Sequence, residues 1–322
     1  MSITIRKYLQ SDFQEWDSFV NSVCANKSIF FLRKFLSYHT NQKFNDHSLV
    51  IYKNKKIIAL LPAALSDDSI LISHPGLSHG SFAFHIGLGL NDQMKIVSSV
   101  IQYIKELGML GFEINSQPSI YSKLESNYID FCLLNFGFDY KCIDLTNYIA
   151  LDIPKLMHSK YSDGCKRAIK KAKNCGVRVV ESNNFKLFYK ILESNLMQRH
   201  GISPTHTLDE LNTLIDLFPK GIRLFAAEYN SEMIAGIVSF RINSDVQLLF
   251  YIAHNSEFQN LRPINLLIAE ISEWCFNNGY KILDLGKFTL KGEPNFTLAR
   301  FKESFGSTGI FRNIYSWSAN ND

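Results

Sequence analysis

The stretch Ile282-Leu283-Asp284-Leu285-Gly286, followed downstream by Phe301-Lys302-Glu303-Ser304-Phe305-Gly306, indicates both the fold of this chain and the place of its chemistry. The first segment predicts a strand that stops at a glycine, and the second predicts a helix end with one lysine between two aromatic residues. Open sheets usually present their chemistry beyond such strand ends. A similar order of elements ends at Leu133–Phe138 in the first half, where the lysine is missing. The sequence therefore predicts a duplicated unit with the chemistry in the second copy.

The strand and helix patterns of the two halves run in the same order. Each half predicts three short antiparallel strands with polar turns, then an amphipathic helix and a further strand. The predicted segments are residues 48–52, 56–62, 70–72, 94–107 and 111–114 in the first half, and 223–229, 233–240, 247–252, 265–276 and 280–285 in the second. We predict an α/β (α+β) protein with domains at residues 1–150 and 151–322, each a mixed, mostly antiparallel sheet flanked by helices.

Length and composition agree with two globular domains. The 322 residues are enough for two cores of ordinary size, and 46% hydrophobic with 20% charged residues is typical of globular proteins. The first residues lack a signal-peptide pattern, and the most apolar stretch, 69–90, is interrupted by glycines and a proline. We expect a cytoplasmic protein without an integral membrane segment. The cysteines and the histidines His74, His79 and His85 lack metal-ligand spacing, so no metal is expected.

Three stretches resemble the FemA/FemB/FemX family of bacterial tandem acyltransferases: residues 165–177, Pro263–Leu267, and Asp284-Leu285-Gly286 with 301–306. The resemblance implies two N-acetyltransferase-like (GNAT-like) domains, the first structural or acceptor-binding and the second catalytic. It also implies transfer of an acyl or aminoacyl group to an amine of a cell-wall or surface-polysaccharide precursor. In the Fem proteins the donor is an aminoacyl-tRNA and the acceptor a peptidoglycan precursor. This chain lacks their long charged coiled-coil arm, so their exact substrates do not carry over directly.

Lys302 and Asp284 are the candidate catalytic residues. Attack of an amine on an ester or thioester builds negative charge on oxygen, which a cation in a partly dry, aromatic setting stabilises. The resemblance independently places Lys302 near the reacting centre, with Phe301 and Phe305 beside it. The alternative is that Lys302 only caps a helix C-terminus. Asp284 could orient or deprotonate the acceptor amine, or it could cap the following turn.

The segment 160–173 carries six basic residues against one acidic residue, Asp163. On a helix, Lys166 and Lys170 share one row, and Arg167 has the planar fork that suits phosphate. The resemblance favours binding of a phosphate-bearing precursor or of tRNA here, and the alternative is a solvated helix face. Cys165 is expected to be an inert, buried thiol, since no partner histidine and acid are positioned by the sequence.

Further candidates line the predicted pocket. Asn265 lies in the resembling stretch at the start of a helix, and Tyr251 ends a central strand, where it could contact a substrate carbonyl or be a buried sheet aromatic. The classical loop that cradles the coenzyme A pyrophosphate is rich in glycine, but this chain reads Gln259-Asn260-Leu261-Arg262-Pro263-Ile264 at that place. No tightly bound cofactor is expected. The donor is expected as a co-substrate, and aminoacyl-tRNA or an acyl carrier protein is favoured over acyl-CoA.

Two functions follow from these patterns. The first is a Fem-like acyltransferase whose partners are a phosphate-bearing cell-envelope precursor and a donor carried by tRNA or acyl carrier protein. The second is a non-catalytic module that binds tRNA or another partner on a degenerate acyltransferase fold. The absence of an obvious general base and of the glycine loop motivates the second function.

Overall fold

The computed structural model describes residues 3–38, 43–123 and 125–319. The chain divides into two compact units, the first formed by residues 1–144 with 311–322 and the second by residues 145–310. The change between units falls inside a continuous strand, β9 (Asp139–Ala150), and not in a linker. The last strand, β17 (Thr308–Ser318), begins in the second unit and ends in the first. The units thus differ from the predicted ranges 1–150 and 151–322, because the last strand pairs within the first unit.

Over its described residues, the first unit contains two sheets and four α-helices. One sheet has the order β1-β3-β4-β7, and in the other β17, β8, β6, β5 and β2 lie side by side. The strands are β1 (Ile3–Lys7), β2 (Asn45–Asp46), β3 (Leu49–Lys53), β4 (Lys56–Leu61), β5 (Ala64–Leu65), β6 (Ile70–Ile72), β7 (Ala83–Phe84) and β8 (Gly111–Asn115), and the helices are α1 (Phe13–Ser22), α2 (Arg33–Leu36), α3 (Leu90–Glu106) and α4 (Tyr128–Asn135). The apolar stripe of α3, which includes Ile96, Val97 and Val100, is fully buried in one core with Tyr315 of β17.

The second unit is built on a main sheet with the order β10-β11-β12-β13-β14-β9, beside a separate two-stranded sheet. Its elements are α5 (Pro154–Ser159), α6 (Asp163–Asn174), β10 (Arg178–Ser182), α7 (Phe185–His200), α8 (Leu208–Leu217), β11 (Ile222–Tyr229), β12 (Glu232–Arg241), β13 (Val246–His254), α9 (Pro263–Asn277), β14 (Ile282–Lys287), β15 (Thr289–Leu290), β16 (Glu293–Pro294) and α10 (Phe296–Glu303). Every neighbouring pair in this sheet is antiparallel except β13 with β14. Apolar residues of α9 and α6 cover the sheet, because their periodicity places one stripe of each helix inward.

The turns of the two units match residue by residue. Asn54 and Asn230 both adopt left-handed backbone conformations, at φ 53° and 49°, and each opens the turn between two antiparallel strands. Gly137 after α4 and Gly306 after α10 are also left-handed, at φ 79° and 69°. Both pairs have the same backbone conformation in the two units, which agrees with the predicted repeat. The predicted fold class, two GNAT-like units of mixed sheet and helices, is confirmed.

Candidate active site in the second unit

The pairing of the two parallel strands stops near the centre of the second sheet. Residues Val246–Leu248 of β13 pair with residues Ile282–Asp284 of β14, and the pairing of these two strands ends there. Beyond that point β13 continues along β12, with a bulge that leaves Phe250 without an opposite residue. The pairing of β14 with β9 is also irregular between Asp284 and Lys287. The pairing of the two strands therefore has a gap after Asp284, and Gly286 in this gap is left-handed at φ 78°. Such a gap at the carboxyl ends of strands is a common place for a ligand.

Lys302 lies at this gap and is buried, with 4% of its surface exposed. Its Nζ donates to the carbonyl oxygen of Gly286 at 2.7 Å and to that of Lys287 at 2.8 Å. Both acceptors belong to β14, so Lys302 does not cap the carbonyls at the end of its own helix. Among the described residues these two carbonyls are its only hydrogen-bond acceptors, and an ammonium has three N–H donors. One N–H donor is therefore left without an acceptor among the described residues.

The charge of Lys302 is set by burial and by one carboxylate. Burial lowers the pKa of Lys302 to about 8, and the nearby Asp284 raises it. Asp284 is completely buried, and its Oδ1 accepts hydrogen bonds of 2.7 Å from Thr146 Oγ1 and from the Gly286 backbone N–H. Asp284 thus holds the turn at the end of β14, as the capping hypothesis expects, and acts on the ammonium through its charge. With no exposed surface, its position favours this role over direct contact with an acceptor amine.

The aromatic residues on either side of Lys302 have different positions. Phe305 is 1% exposed and packs edge-on against Tyr161, with ring centroids 5.5 Å apart. Phe301 is half-buried and packs edge-on against Phe305 at 5.4 Å. Phe305 is therefore part of the core that fixes α10 against the start of α6. Phe301 keeps accessible surface for a ligand.

Tyr251 faces a histidine that the sequence analysis did not single out. Its hydroxyl lies 2.7 Å from His206 Nδ1 and accepts a 3.1 Å hydrogen bond from the His206 backbone N–H. Tyr251 is 7% exposed, and burial raises its pKa to about 12, so the phenol remains protonated near neutral pH. Tyr251 thus anchors the segment before α8 to the bulged strand β13. His206 lies 45 residues away in a loop, and no local pattern connects it with Tyr251.

The start of α9 carries few free backbone donors. The Arg262 N–H donates to Gln259 O at 3.1 Å, the Asn265 N–H donates to Arg262 O at 3.2 Å, and Pro263 has no N–H. Arg262 itself is left-handed at φ 58°, a conformation that favours glycine. Asn265 is half-buried, and its side chain and that of Ser304 lower the pKa of the Cys165 thiol, although burial raises that pKa more. Cys165 therefore stays a protonated thiol at neutral pH.

The basic segment forms α6, which follows the Ser162 N-cap. Lys166, Arg167 and Lys170 are all exposed. Lys166 Nζ approaches Ser159 O at 3.5 Å and Asp163 Oδ1 at 4.0 Å, whereas Lys173 is paired with Glu270 at 2.7 Å. No described carboxylate pairs with Arg167 or Lys170. The structure thus places these two cations on an open face of the second unit, while Lys302 lies inside it.

Thr146 is a further residue of the site that the sequence analysis missed. It lies in β9, 138 positions before Asp284, and only the pairing of β9 with β14 brings the two side chains together. Among the described residues there is no group of three histidine, cysteine, aspartate or glutamate side chains that could hold a metal ion. None of the described helices combines the length and apolar character needed to cross a membrane.

Comparison with known proteins agrees with this architecture. Residues 159–303 match the family described as acetyltransferase (GNAT) domain. No curated protein sequence matches the chain. Among solved structures, FemX is similar over 99% of this chain and 98% of that chain, at 12% identity and a TM-score of 0.71. L-PGS from Bacillus licheniformis is similar over 98% and 93%, at 10% identity and a TM-score of 0.61. A tandem GNAT protein from the clavulanic acid biosynthesis pathway is similar over the full length of both chains, at 9% identity and a TM-score of 0.58.

At these sequence identities the likeness to solved structures concerns the fold alone. The residues matched by the family include β13, β14 and both candidate catalytic residues, Asp284 and Lys302. The match confirms the prediction of an acyltransferase. Residues 159–303 constitute a GNAT acyltransferase domain, in a chain that has the tandem fold expected from its resemblance to the FemA/FemB/FemX family.

Proposed function

We propose that the second unit transfers an acyl or aminoacyl group to an amine of a bacterial cell-wall or surface-polysaccharide precursor, and that Lys302 stabilises the oxyanion of this reaction. The observation that carries the proposal is the buried ammonium of Lys302, held by the carbonyl oxygens of Gly286 and Lys287 with one N–H donor left over. A preorganised donor in a dry site stabilises a developing negative charge far better than water does.

The reaction follows from this geometry. The lone pair of the acceptor amine attacks the carbonyl carbon of an ester or thioester, and the carbonyl oxygen becomes an oxyanion that accepts a hydrogen bond from Lys302. Collapse of the intermediate restores the carbonyl, forms the amide and expels the alkoxide or thiolate, while the amine loses one proton. That proton leaves with the departing group or with solvent, because Asp284 is enclosed and engaged by Thr146 and Gly286.

The donor is proposed to be an aminoacyl-tRNA or an acyl carrier protein. At the start of α9, Pro263 has no amide donor, and the N–H groups of Arg262 and Asn265 are already bonded to Gln259 and Arg262. A pyrophosphate cradle needs several free N–H groups at such a helix start. The exposed cations Arg167 and Lys170 on α6 offer a second place for phosphate groups, either of tRNA or of the acceptor.

Transfer is tested with bulk tRNA charged with radiolabelled amino acids and with a nucleotide-linked muramyl pentapeptide as acceptor. We expect a labelled adduct whose mass exceeds that of the acceptor by one amino-acid residue. Lys302→Met should abolish its formation, whereas Lys186→Met, which removes an exposed cation of α7, should not. Equal turnover by Lys302→Met and wild type would refute the role of Lys302.

The second candidate is a non-catalytic module that binds tRNA. The open cations of α6 and the enclosure of Asp284 favour it. It predicts bulk-tRNA binding that weakens steeply with salt, together with no transfer from any donor. Failure of bulk tRNA to bind at low salt would remove both this module and the aminoacyl-tRNA donor.

A further inference from the structure

The first unit contains a buried arginine without an acid partner. Arg312, in the part of β17 that belongs to this unit, is 4% exposed. Its guanidinium donates to the carbonyl oxygen and, at 3.1 Å, to the hydroxyl of Ser78. No described carboxylate lies within ion-pair distance of it. A buried charge without a counter-charge is costly, so this position calls for an anion.

Two acids of the elements around β17 are engaged elsewhere. Glu113 of β8 is paired with Lys141, and Asp130 of α4 accepts a 2.7 Å hydrogen bond from the hydroxyl of Tyr315. Neither carboxylate is therefore available to neutralise Arg312. Its only described partner is neutral Ser78, whose carbonyl oxygen also accepts a 3.3 Å hydrogen bond from Asn115 Nδ2.

Two buried polar atoms at this position have no partner among the described residues, Arg312 Nε and His79 Nδ1. The two residues lie close enough for the charge of Arg312 to act on the His79 ring. A third unpartnered buried atom, Gln117 Nε2, follows β8, and the pairing of β8 with β17 puts the side chains of Gln117 and Arg312 on the same face. The unpartnered Ser116 Oγ and Asn313 Oδ1 belong to the opposite face, with Tyr315. Arg312 Nε and Gln117 Nε2 are both donors.

His79 supplies one more donor in one of its two neutral tautomers. Ser28 Oγ accepts a hydrogen bond from the Phe30 N–H and lies 3.0 Å from His79 Nε2. When the Ser28 hydroxyl donates to Nε2, the imidazole proton sits on Nδ1. Burial, and secondarily the charge of Arg312, hold the pKa of His79 well below its usual value, so the ring is neutral. In that tautomer Nδ1 is an N–H donor without an acceptor among the described residues.

We propose that the first unit binds an oxyanion, the carboxylate or phosphate group of a small molecule, at Arg312, with donors from the Ser78–His79 loop and from Gln117 after β8. Water could satisfy single donors here, but it could not neutralise the guanidinium. A planar guanidinium suits both carboxylate and phosphate. The site lies wholly in the first unit, and the proposal does not depend on the transfer reaction.

Equilibrium thermal unfolding in sodium acetate, sodium phosphate and sodium chloride at matched ionic strength tests the site. A ligand that binds only the folded chain raises Tm in a saturable way. Acetate and phosphate also act non-specifically on stability, and the same titrations of Arg312→Met give that baseline. We expect a saturable rise in Tm, relative to Arg312→Met, of several degrees in acetate or in phosphate. The anion that saturates at the lower concentration identifies the preferred group.

Two variants complete the design. Arg178→Met removes an exposed cation from the second unit and should keep the full anion response. Arg312→Met leaves the Ser78 carbonyl bonded to Asn115, so in chloride its Tm should equal or exceed that of wild type. If the Tm of Arg312→Met lies below that of wild type by the same amount in all three salts, the proposal is overturned. A purely structural role of Arg312, in which it only holds Ser78 by hydrogen bonds, predicts that result.

A direct measurement covers the case in which Arg312→Met does not fold. Wild-type protein equilibrated with acetate or phosphate is desalted and denatured, and the released anions are quantified by ion chromatography. We expect close to one oxyanion per chain, because the donors are enclosed. Release of no oxyanion after equilibration with either anion would overturn the proposal.

Discussion

Lys302 donates to the Gly286 carbonyl oxygen across 2.7 Å, so the end of α10 is fixed to the point where β14 leaves β13. A Cβ atom on Gly286 would lie 3.9 Å from Lys302 Nζ, and the backbone there is left-handed. The ammonium and the strand end therefore form one rigid arrangement. The role of Lys302 can therefore be tested in two independent ways, by measuring activity and by measuring stability.

The pH dependence of transfer distinguishes an ammonium from a general base at Lys302. Since the pKa of Lys302 is about 8, an oxyanion-stabilising ammonium predicts that kcat/KM falls as pH rises through that value. Lys302→Arg should lack this alkaline limb, because a guanidinium stays charged. Activity that rises through pH 8 in wild type would instead indicate a neutral amine acting as base.

Asp284→Asn should shift the alkaline fall of kcat/KM to lower pH. The Asp284 carboxylate raises the pKa of Lys302, so its neutral replacement leaves burial to lower that pKa further. The asparagine side-chain oxygen can still accept from Thr146 and Gly286, so the fold should persist. Circular dichroism serves as the folding control. An unchanged limb in a folded variant would contradict the electrostatic role of Asp284.

Stability should also depend on pH through Lys302. Its pKa is about 8 in the folded chain and 10.5 in the unfolded reference, so the unfolded chain binds more protons between these values. The free energy of unfolding therefore rises as pH increases from 8 to 10.5. Between pH 7 and 10, wild type should gain about 2–3 kcal/mol relative to Lys302→Met. The free energy of unfolding is measured in denaturant at each pH. If it changes with pH in the same way in both proteins, the pKa of Lys302 is not shifted in the folded chain.

Two helix-terminal glycines should respond differently to alanine. A Cβ on Gly306 would lie 2.7 Å from Lys160 Cβ and 3.1 Å from Lys160 O, and φ is 69°. Gly176 after α6 is also left-handed, but nothing lies within 4 Å of its Cβ position. Gly176→Ala should cost about 1 kcal/mol of backbone strain. Gly306→Ala should cost about 2–4 kcal/mol, since the clash is added to that strain. Equal losses in urea unfolding would contradict the close contact with Lys160.

The open cations of α6 can be tested by salt titration. Replacing Arg167 and Lys170 together by Ala should weaken bulk-tRNA binding and reduce the slope of log affinity against log salt by about 2. The matched control replaces two exposed lysines of the second unit outside α6, Lys186 and Lys220, by Ala. Filter binding at several salt concentrations gives both slopes. If both double variants lose affinity equally, α6 is not the phosphate-binding face.

Local patterns predicted the elements of this fold because its turns are marked in the sequence. Gly137 and Gly306 occupy left-handed positions, and polar residues open the hairpins at Asn54 and Asn230. The predicted strand 280–285 is observed at Ile282–Lys287, and the predicted helix 265–276 at Pro263–Asn277. The unit boundary differed because pairing of the last strand with β8 depends on contacts between residues about 200 positions apart.

The site was only partly accessible to sequence reasoning. Lys302 and Asp284 lie on neighbouring elements with a recognisable pattern, and the structure brings them together. The partners Thr146 and His206 depend on sheet pairing and on a loop conformation, for which the sequence carries no periodic signal. Burial of Arg312 could not be foreseen either, because arginine is ordinarily solvated.

The return of β17 to the first unit has a consequence for biosynthesis. Tyr315 and Trp317 belong to the core of the first unit, yet they are synthesised after the whole of residues 145–310. Domains generally fold as units during synthesis, in the order in which they are made. Here the first unit must wait with an open sheet edge at β8 until β17 has been made, whereas residues 145–310 can already fold. The later-made unit is therefore the first that can be completed.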